Sequence, residues 1–142
     1  MIIKGYAARF NEPSEDMGGF KEYIDPHAFD KALSGHPDVV ILYNHDPNLV
    51  LGRTGAGTAS VETDAKGVFF TCSLPQTQTG KDVDILIRRR DVNACSFGFI
   101  VSKDEWEIKN GDLRRTLLEI DTLIECSPCP FPAYPSTSVK AE

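Results

Sequence analysis

Short runs of the kind that form β-strands dominate the pattern of apolar and polar positions along the chain. In each run apolar residues alternate with polar ones or follow one another over a few positions, and turn-forming residues separate the runs. The runs are residues 2–10, 20–24, 39–43, 50–54, 58–62, 68–74, 94–101 and 113–123. The sequence therefore predicts a mainly β fold.

Two of the turns predict β-hairpins. Residues 64–67 (Asp-Ala-Lys-Gly) separate the runs 58–62 and 68–74, and Asn110-Gly111 lies between residues 106–108 and 113–120. Asn and Gly adopt the positive φ angles that tight hairpin turns require, so Asn-Gly is the strongest local hairpin signal in the chain.

Two segments have the pattern of amphipathic helices. The first, residues 26–33, has Asp25 as a candidate N-cap, Pro26 in its first turn and Gly35 just after its end. The second runs from position 79 or 81 to position 90 and carries basic residues in its last turn, where they suit the helix dipole. We therefore expect an α+β protein in which two helices lie on a β framework.

The end of the chain has a different composition. Prolines at positions 128, 130, 132 and 135 follow Glu125, and they predict a rigid extended loop without regular strand pairing. Residues 136–142 are small and polar, and we expect this short tail to fray. With 142 residues, the chain has the length of a single domain spanning 1–142.

Charge and hydropathy exclude several classes of partner. The chain has 15 Lys and Arg against 21 Asp and Glu, a net charge of −6, which argues against a nucleic-acid-binding surface. No apolar stretch approaches the roughly 20 residues of a membrane-spanning helix, and the first residues lack a signal-peptide pattern. The sequence predicts a soluble, intracellular protein without a nucleic-acid or membrane partner.

The four cysteines, Cys72, Cys95, Cys126 and Cys129, give only a weak metal signal. Cys126 and Cys129 have the C-x-x-C spacing of half a zinc site, but no second C-x-x-C completes it. We expect no metal and no other cofactor.

A serine nucleophile with a histidine base is the most specific chemistry that the residues allow. His45, one of three histidines, follows the apolar run 39–43 closely, so a rigid strand end could hold its imidazole. Ser96 lies in a strand-like segment in which bulky Phe97 and Phe99 alternate with Ser96 and Gly98. One face of that strand would pack while the other leaves room for a substrate; the alternative is an ordinary serine on a solvent-facing strand.

The acidic partner of His45 stays open at this point. Asp46, Glu119, Asp121 and Glu125 are candidates, and Glu125 is favoured because it closes a strand-like run. A metal-dependent hydrolase is the alternative, with Asp25, His27, His45 and Asp46 as ligands, although no H-E-x-x-H spacing supports it.

Five segments taken together resemble the prohead maturation proteases of tailed bacteriophages. The resemblance extends from about residue 4 to residue 139 with the segments in one order, which is far more specific than any single motif. The segments are Gly5-Tyr6-Ala7-Ala8-Arg9-Phe10-Asn11, Asp25-Pro26-His27-Ala28-Phe29, Asn44-His45-Asp46 with Leu51-Gly52-Arg53-Thr54, Ser96-Phe97-Gly98-Phe99, and Phe131-Pro132-Ala133-Tyr134-Pro135.

The resemblance implies a fold, an activity and a set of site residues. The implied fold is the antiparallel β-barrel of the herpesvirus protease (assemblin) type with a few surrounding helices. The implied activity is that of a serine endopeptidase with Ser96 as nucleophile, His45 as base and Glu125 as the third member. The substrates would be scaffold segments of the phage major capsid protein and the protease itself, inside the procapsid in the host bacterial cytoplasm.

Two features leave alternatives open. Residues 126–130 (Cys-Ser-Pro-Cys-Pro) stand where such proteases usually have a hydrophobic strand, which puts the local geometry after Glu125 in question. An inactive capsid-assembly or coat-binding factor is the alternative function. Assemblin relatives dimerise through a helix, and residues 82–90 are a candidate surface for a homodimer.

Overall fold

Nine β-strands and two α-helices make up the computed structural model, which describes residues 1–142. The mainly β prediction is confirmed. The strands are β1 Ile2–Arg9, β2 Lys21–Ile24, β3 Val40–Tyr43, β4 Asp46–Arg53, β5 Ala59–Thr63, β6 Gly67–Ser73, β7 Ala94–Lys109, β8 Asp112–Cys129 and β9 Ser138–Ala141. The helices are α1 Asp30–Ser34 and α2 Gln78–Arg89, and a 3₁₀ turn spans Thr54–Ala56.

The strands form two sheets. The first has the order β5-β6-β1-β9 and is antiparallel throughout. The second has the order β2-β8-β3-β4, and β7 pairs with β8 in addition. In this sheet β2 and β3 run parallel to β8, whereas the pairs β3-β4 and β7-β8 are antiparallel. Since the strands pair as two sheets, the closed barrel that the resemblance implies stays a prediction.

Both predicted hairpins are confirmed. In the turn between β5 and β6, the Asp64 carboxylate accepts the backbone N–H groups of Lys66 and Gly67 at 2.8 and 3.1 Å. Between β7 and β8, Asn110 and Gly111 have φ angles of 53° and 83°, as a type I′ turn requires. The second hairpin is longer than predicted, because β7 continues to Lys109.

The two helices form close to where the sequence predicts them. In α2 the Thr77 side chain accepts the Gly80 N–H at 3.1 Å, and Arg90 ends the helix in the left-handed conformation. The first helix begins at Asp30 rather than at Pro26. The Asp25 carboxylate instead accepts the backbone N–H of His27 at 2.8 Å and caps a turn that precedes the helix. Neither helix has the length and apolar character needed to cross a membrane.

The predicted loop after Glu125 is wrong for residues 126–129, which continue β8 with Pro128 opposite Cys95. The Pro128 carbonyl accepts the Asn44 N–H at 3.0 Å, on the edge of β8 that faces β3. In a strand the N–H and C=O of one residue point to the same edge. The N–H that proline lacks would therefore point away from β7, and the β7-β8 ladder loses no hydrogen bond.

The predicted fraying of residues 136–142 is also wrong, because β9 pairs with β1 at the edge of the first sheet. Val139 is buried there. The hydroxyl of Thr137, just before β9, accepts the Cys95 N–H at 3.0 Å and donates to the Cys95 carbonyl at 2.7 Å. The end of the chain thus fixes the start of β7.

The hydrophobic core draws side chains from both sheets and from α1 and α2. Near the start of β7 it is aromatic: the Phe97 ring lies 5.5 Å from that of Phe29 and 5.9 Å from that of Tyr134, measured between centroids. Phe97 therefore anchors one face of β7, and the opposite face of the same strand carries Ser96.

Candidate active site

His45 lies in the two-residue turn that joins β3 to β4. Asn44 and His45 have φ angles of 53° and 61°, which makes this a type I′ turn between the paired residues Tyr43 and Asp46. The turn is attached to β8 by two backbone donors: the Asn44 N–H to the Pro128 carbonyl and the His45 N–H to the Ser127 hydroxyl, both at 3.0 Å. The turn thus holds the histidine against the end of β8.

Glu125 occupies the centre of the second sheet. It lies on β8 opposite Gly98 of β7 on one side and Val40 of β3 on the other. Its carboxylate covers Gly98 so closely that a Cβ added there would lie 2.7 Å from Oε1. The Glu125 side chain is only 10% exposed, so the acid is packed rather than solvated.

His45 and Glu125 are in direct contact, with Nδ1 of the imidazole hydrogen-bonded to Oε1 of the carboxylate. Since a carboxylate accepts hydrogen bonds, this contact assigns the proton to Nδ1 and leaves Nε2 as the acceptor nitrogen. The His45 side chain is 43% exposed. A buried acid therefore orients an accessible imidazole, as a general base requires.

Ser96 lies on the same face of the sheet as Glu125. It pairs with Ser127 in the β7-β8 ladder, and Gly98 pairs with Glu125 two positions along. Because side chains alternate along a strand, these four residues share one face. Directly opposite residues have Cβ atoms about 4.5–5.5 Å apart. The structure thus brings His45 and Glu125 into contact and places Ser96, which is 9% exposed, on the face that they occupy.

The other candidate acids have different partners. Glu119 Oε2 accepts the Ser102 hydroxyl at 2.7 Å, and Asp121 lies 3.5 Å from the Lys31 ammonium. Asp46 accepts the backbone N–H of Asn48, two residues further along β4, at 2.9 Å. Among the four carboxylates that the sequence leaves open, Glu125 is the one that contacts His45.

The residues of the alternative metal site are not gathered. His27 pairs with Asp30 at 3.1 Å, while His45 pairs with Glu125. No three His, Cys, Asp or Glu side chains are grouped so that they could hold a metal ion. Cys126 and Cys129 lie three positions apart on β8, and such side chains point to opposite faces of a strand.

All four thiols are free and buried. Burial raises the pKa of Cys72 to about 12 and that of Cys129 to about 11. Burial also raises the pKa of Cys95 and of Cys126. Since the thiolate is the reactive form, these cysteines are poor nucleophiles at neutral pH.

Ser127 contacts the candidate residues, and the sequence analysis missed it. Its hydroxyl donates to Glu125 Oε2 at 2.5 Å and accepts the His45 N–H at 3.0 Å. In a strand, residues two apart share a face, so a strand assignment through position 127 would have placed Ser127 beside Glu125. The surrounding prolines hid that signal.

The chain matches one protein-family model over its whole length. The model is described as the caudovirus prohead serine protease, and the match covers residues 1–142. A comparison with curated proteins found no match.

Proposed function

Because the chain belongs to the caudovirus prohead serine protease family, we propose that it acts through Ser96, His45 and Glu125 to cleave scaffold segments of a phage major capsid protein and itself. This cleavage would take place inside the procapsid, in the cytoplasm of the host bacterium. The observation that carries the proposal is the contact between His45 and the buried Glu125, on the sheet face that also bears Ser96.

In the proposed mechanism, Ser96 Oγ attacks the scissile carbonyl while His45 Nε2 accepts its proton. Glu125 holds the Nδ1–H and stabilises the imidazolium that forms. His45 then gives the proton to the departing amine, which leaves an acyl group on Ser96. Water, deprotonated by the same imidazole, attacks that ester; the acyl group leaves as a carboxylic acid, and His45 returns the proton to Ser96 Oγ.

Two serines lie on this face, and their environments favour Ser96 as the nucleophile. Ser127 is fully buried, and its proton is directed to Glu125. A hydroxyl held in this way is not free to attack a substrate. Ser96 lies across the ladder from it at the start of β7 and is 9% exposed, whereas Ser127 has no exposed surface.

We also infer that the two sheets wrap around one core as an assemblin-type barrel. Two contacts between the sheets support this. The Val139 N–H of β9 donates to the Asn93 carbonyl just before β7 at 3.1 Å. On the other side, the Cys72 thiol of β6 lies 3.5 Å from the Leu51 carbonyl of β4.

Covalent labelling with a fluorescent alkyl fluorophosphonate tests the assignment of the nucleophile. We expect Ser96→Ala to lower the labelling rate by roughly 10⁴-fold or more, because no other hydroxyl is placed to replace the nucleophile. Ser102→Ala, which removes an exposed hydroxyl from the same strand, should label at the wild-type rate. A chelator should have no effect.

Co-expression with the phage capsid protein tests the activity itself. Wild-type protein should shorten the capsid protein, and Ser96→Ala should leave it intact. Labelling of Ser96→Ala at the wild-type rate would exclude this nucleophile. If the wild-type protein binds the capsid protein without ever cutting it, the protein is an inactive assembly factor.

A further inference from the structure

We propose that Ser127 is a positioning residue of this site, whose hydroxyl holds the Glu125 carboxylate and the His45 turn in a single arrangement. The inference rests on the proposed function, since it assigns a role within the same site. Ser127 would not touch the substrate; it would act through the acid and the base.

The contacts of Ser127 connect the two groups directly. Its oxygen accepts the backbone N–H of His45 at 3.0 Å, and its proton goes to Glu125 Oε2 at 2.5 Å. The other carboxylate oxygen, Oε1, contacts the His45 ring. His45, Glu125 and Ser127 therefore form a closed ring of interactions in which each residue is held by the other two.

The Glu125 carboxylate needs a second hydrogen bond, through Oε2, to fix its orientation. The last torsion of a glutamate side chain has broad energy wells, so a carboxylate bonded through one oxygen is free to rotate. The Ser127 hydroxyl is fixed on β8, two residues from Glu125 and fully buried. Its bond to Oε2 sets the plane of the carboxylate, and thereby the direction in which Oε1 meets the imidazole.

The backbone of His45 is also held by the Ser127 hydroxyl. His45 has a φ of 61° in a two-residue turn, in the left-handed region that most residues other than glycine avoid, although histidine adopts it more often than most. The bond from its N–H to Ser127 holds this backbone in place against β8. A hydroxyl in this position can serve both neighbours because it donates one hydrogen bond and accepts another.

A buried serine elsewhere in the fold provides a matched control. The Ser14 hydroxyl also accepts one backbone N–H, from Glu22 at 2.8 Å, and donates one hydrogen bond, to the Glu15 carbonyl at 2.7 Å. Glu22 pairs with Arg115, ten positions before Glu125 on β8, and Ser14 contacts none of His45, Glu125 and Ser127. Ser14→Ala therefore removes a similar buried hydroxyl that lies outside the ring of contacts.

Labelling kinetics with the fluorophosphonate separate positioning from probe binding. For Ser127→Ala we expect the limiting rate kinact to fall by about 10-fold to 100-fold, the effect of losing a hydrogen bond to a charged group. The half-saturating concentration KI should stay within about twofold. Ser127→Thr restores the hydroxyl and should recover most of the rate, while Ser14→Ala should leave both constants unchanged.

A spectroscopic measurement separates positioning from a merely structural role. The chain has three histidines, so the ring nitrogens of His45 can be assigned in ¹⁵N-labelled protein by comparison with His45→Gln. We expect the Nδ1–H form alone in the wild type and a mixture of tautomers in Ser127→Ala. If Ser127→Ala does not fold, Ser127→Cys, a weaker donor of similar size, should show intermediate shifts in both measurements.

The outcomes distinguish this inference from the proposed function. A wild-type protein that is not labelled at Ser96 overturns the proposed function, and the tautomer measurement still tests the ring of contacts. A folded Ser127→Ala with wild-type kinact and an unchanged tautomer overturns the role of Ser127 while the proposed function stands. A loss of rate that Ser127→Thr does not restore also counts against the hydroxyl.

Discussion

At the scale of single residues, Gly98 determines whether the acid can reach the histidine. The Glu125 carboxylate lies where a side chain at position 98 would be, with Oε1 2.7 Å from the position of an added Cβ and Cγ at 3.2 Å. Contacts this short require the neighbour to move. The glycine of Ser96-Phe97-Gly98-Phe99 is therefore part of the site through the space that it leaves.

Replacing this glycine should separate the acid from the base. We expect Gly98→Ala to displace the Glu125 carboxylate and to lower the fluorophosphonate labelling rate by about 100-fold, since a displacement near 1 Å has effects of that size. Gly35→Ala is the control, because nothing lies within 4 Å of a Cβ at that exposed glycine. Equal labelling rates for the two variants would mean that the carboxylate position is unimportant.

The sequence predicts the residues of the site better than their contacts. The small number of histidines makes His45 a candidate, whereas strand patterning does not separate Ser96 from an ordinary strand serine and only the resemblance to the prohead proteases does so. The acid cannot be identified from the sequence, because four carboxylates satisfy the same pattern. The choice among them depends on the register of β8, which decides which of its residues faces the His45 turn. That register is a property of the folded sheet, and local spacing carries no information about it.

At the scale of elements, the type I′ turn between β3 and β4 positions His45, the proposed base. We expect Asn44→Val to lower the free energy of unfolding by about 1–2 kcal/mol, because a β-branched residue is strained at a φ of 53°. The labelling rate should fall as well, since a distorted turn moves His45. Urea unfolding and labelling kinetics measure the two effects.

A second substitution at the same position supplies the control for the turn. Asn44→Gly removes the same amide side chain but accepts positive φ, so both its stability and its labelling rate should stay near those of the wild type. If the glycine variant were as impaired as the valine variant, the amide of Asn44 would be responsible rather than the backbone conformation.

Strand β8 shows why element boundaries near the site could not be predicted. The proline rule assumes that the N–H of each residue inside a sheet is needed for pairing with a neighbouring strand. At Pro128 the missing N–H faces the Asn44 turn, where the proline carbonyl accepts a hydrogen bond instead. The pairing with β7 is intact, so the strand continues through Ser127 and carries the site.

At the scale of the whole molecule, the end of the chain is part of the framework. β9 looks like a polar tail because only Val139 in it is strongly apolar, yet it pairs with β1 across four residues. The nearby Thr137 hydroxyl holds both backbone groups of Cys95, the residue before Ser96. Local sequence patterns predict the strands and hairpins. They do not predict which strand pairs at the edge of a sheet, because such pairing depends on contacts between residues far apart in the chain.

Burial of ionisable groups across both sheets predicts how stability depends on pH. Burial raises the pKa of the four thiols, to about 12 for Cys72 and about 11 for Cys129, and it raises that of Tyr134 as well. As pH rises, the unfolded chain loses these protons first, the thiols near pH 8.5 and the tyrosine near pH 10. The unfolded state then binds fewer protons than the folded state, so the free energy of unfolding decreases with increasing pH.

We therefore expect a stability in urea, measured with a reductant present, that declines from about pH 8.5 and more steeply above about pH 10. Cys72→Ala should reduce the slope between pH 9 and pH 11 by up to about 1.4 kcal/mol per pH unit, the contribution of one proton. A stability that is constant up to pH 11 would show that the buried groups titrate as freely in the folded protein as in the unfolded chain. Since Cys95 and Cys126 adjoin Ser96 and Glu125 in the two strands that carry the site, the same burial that causes this decline keeps those strands packed at neutral pH.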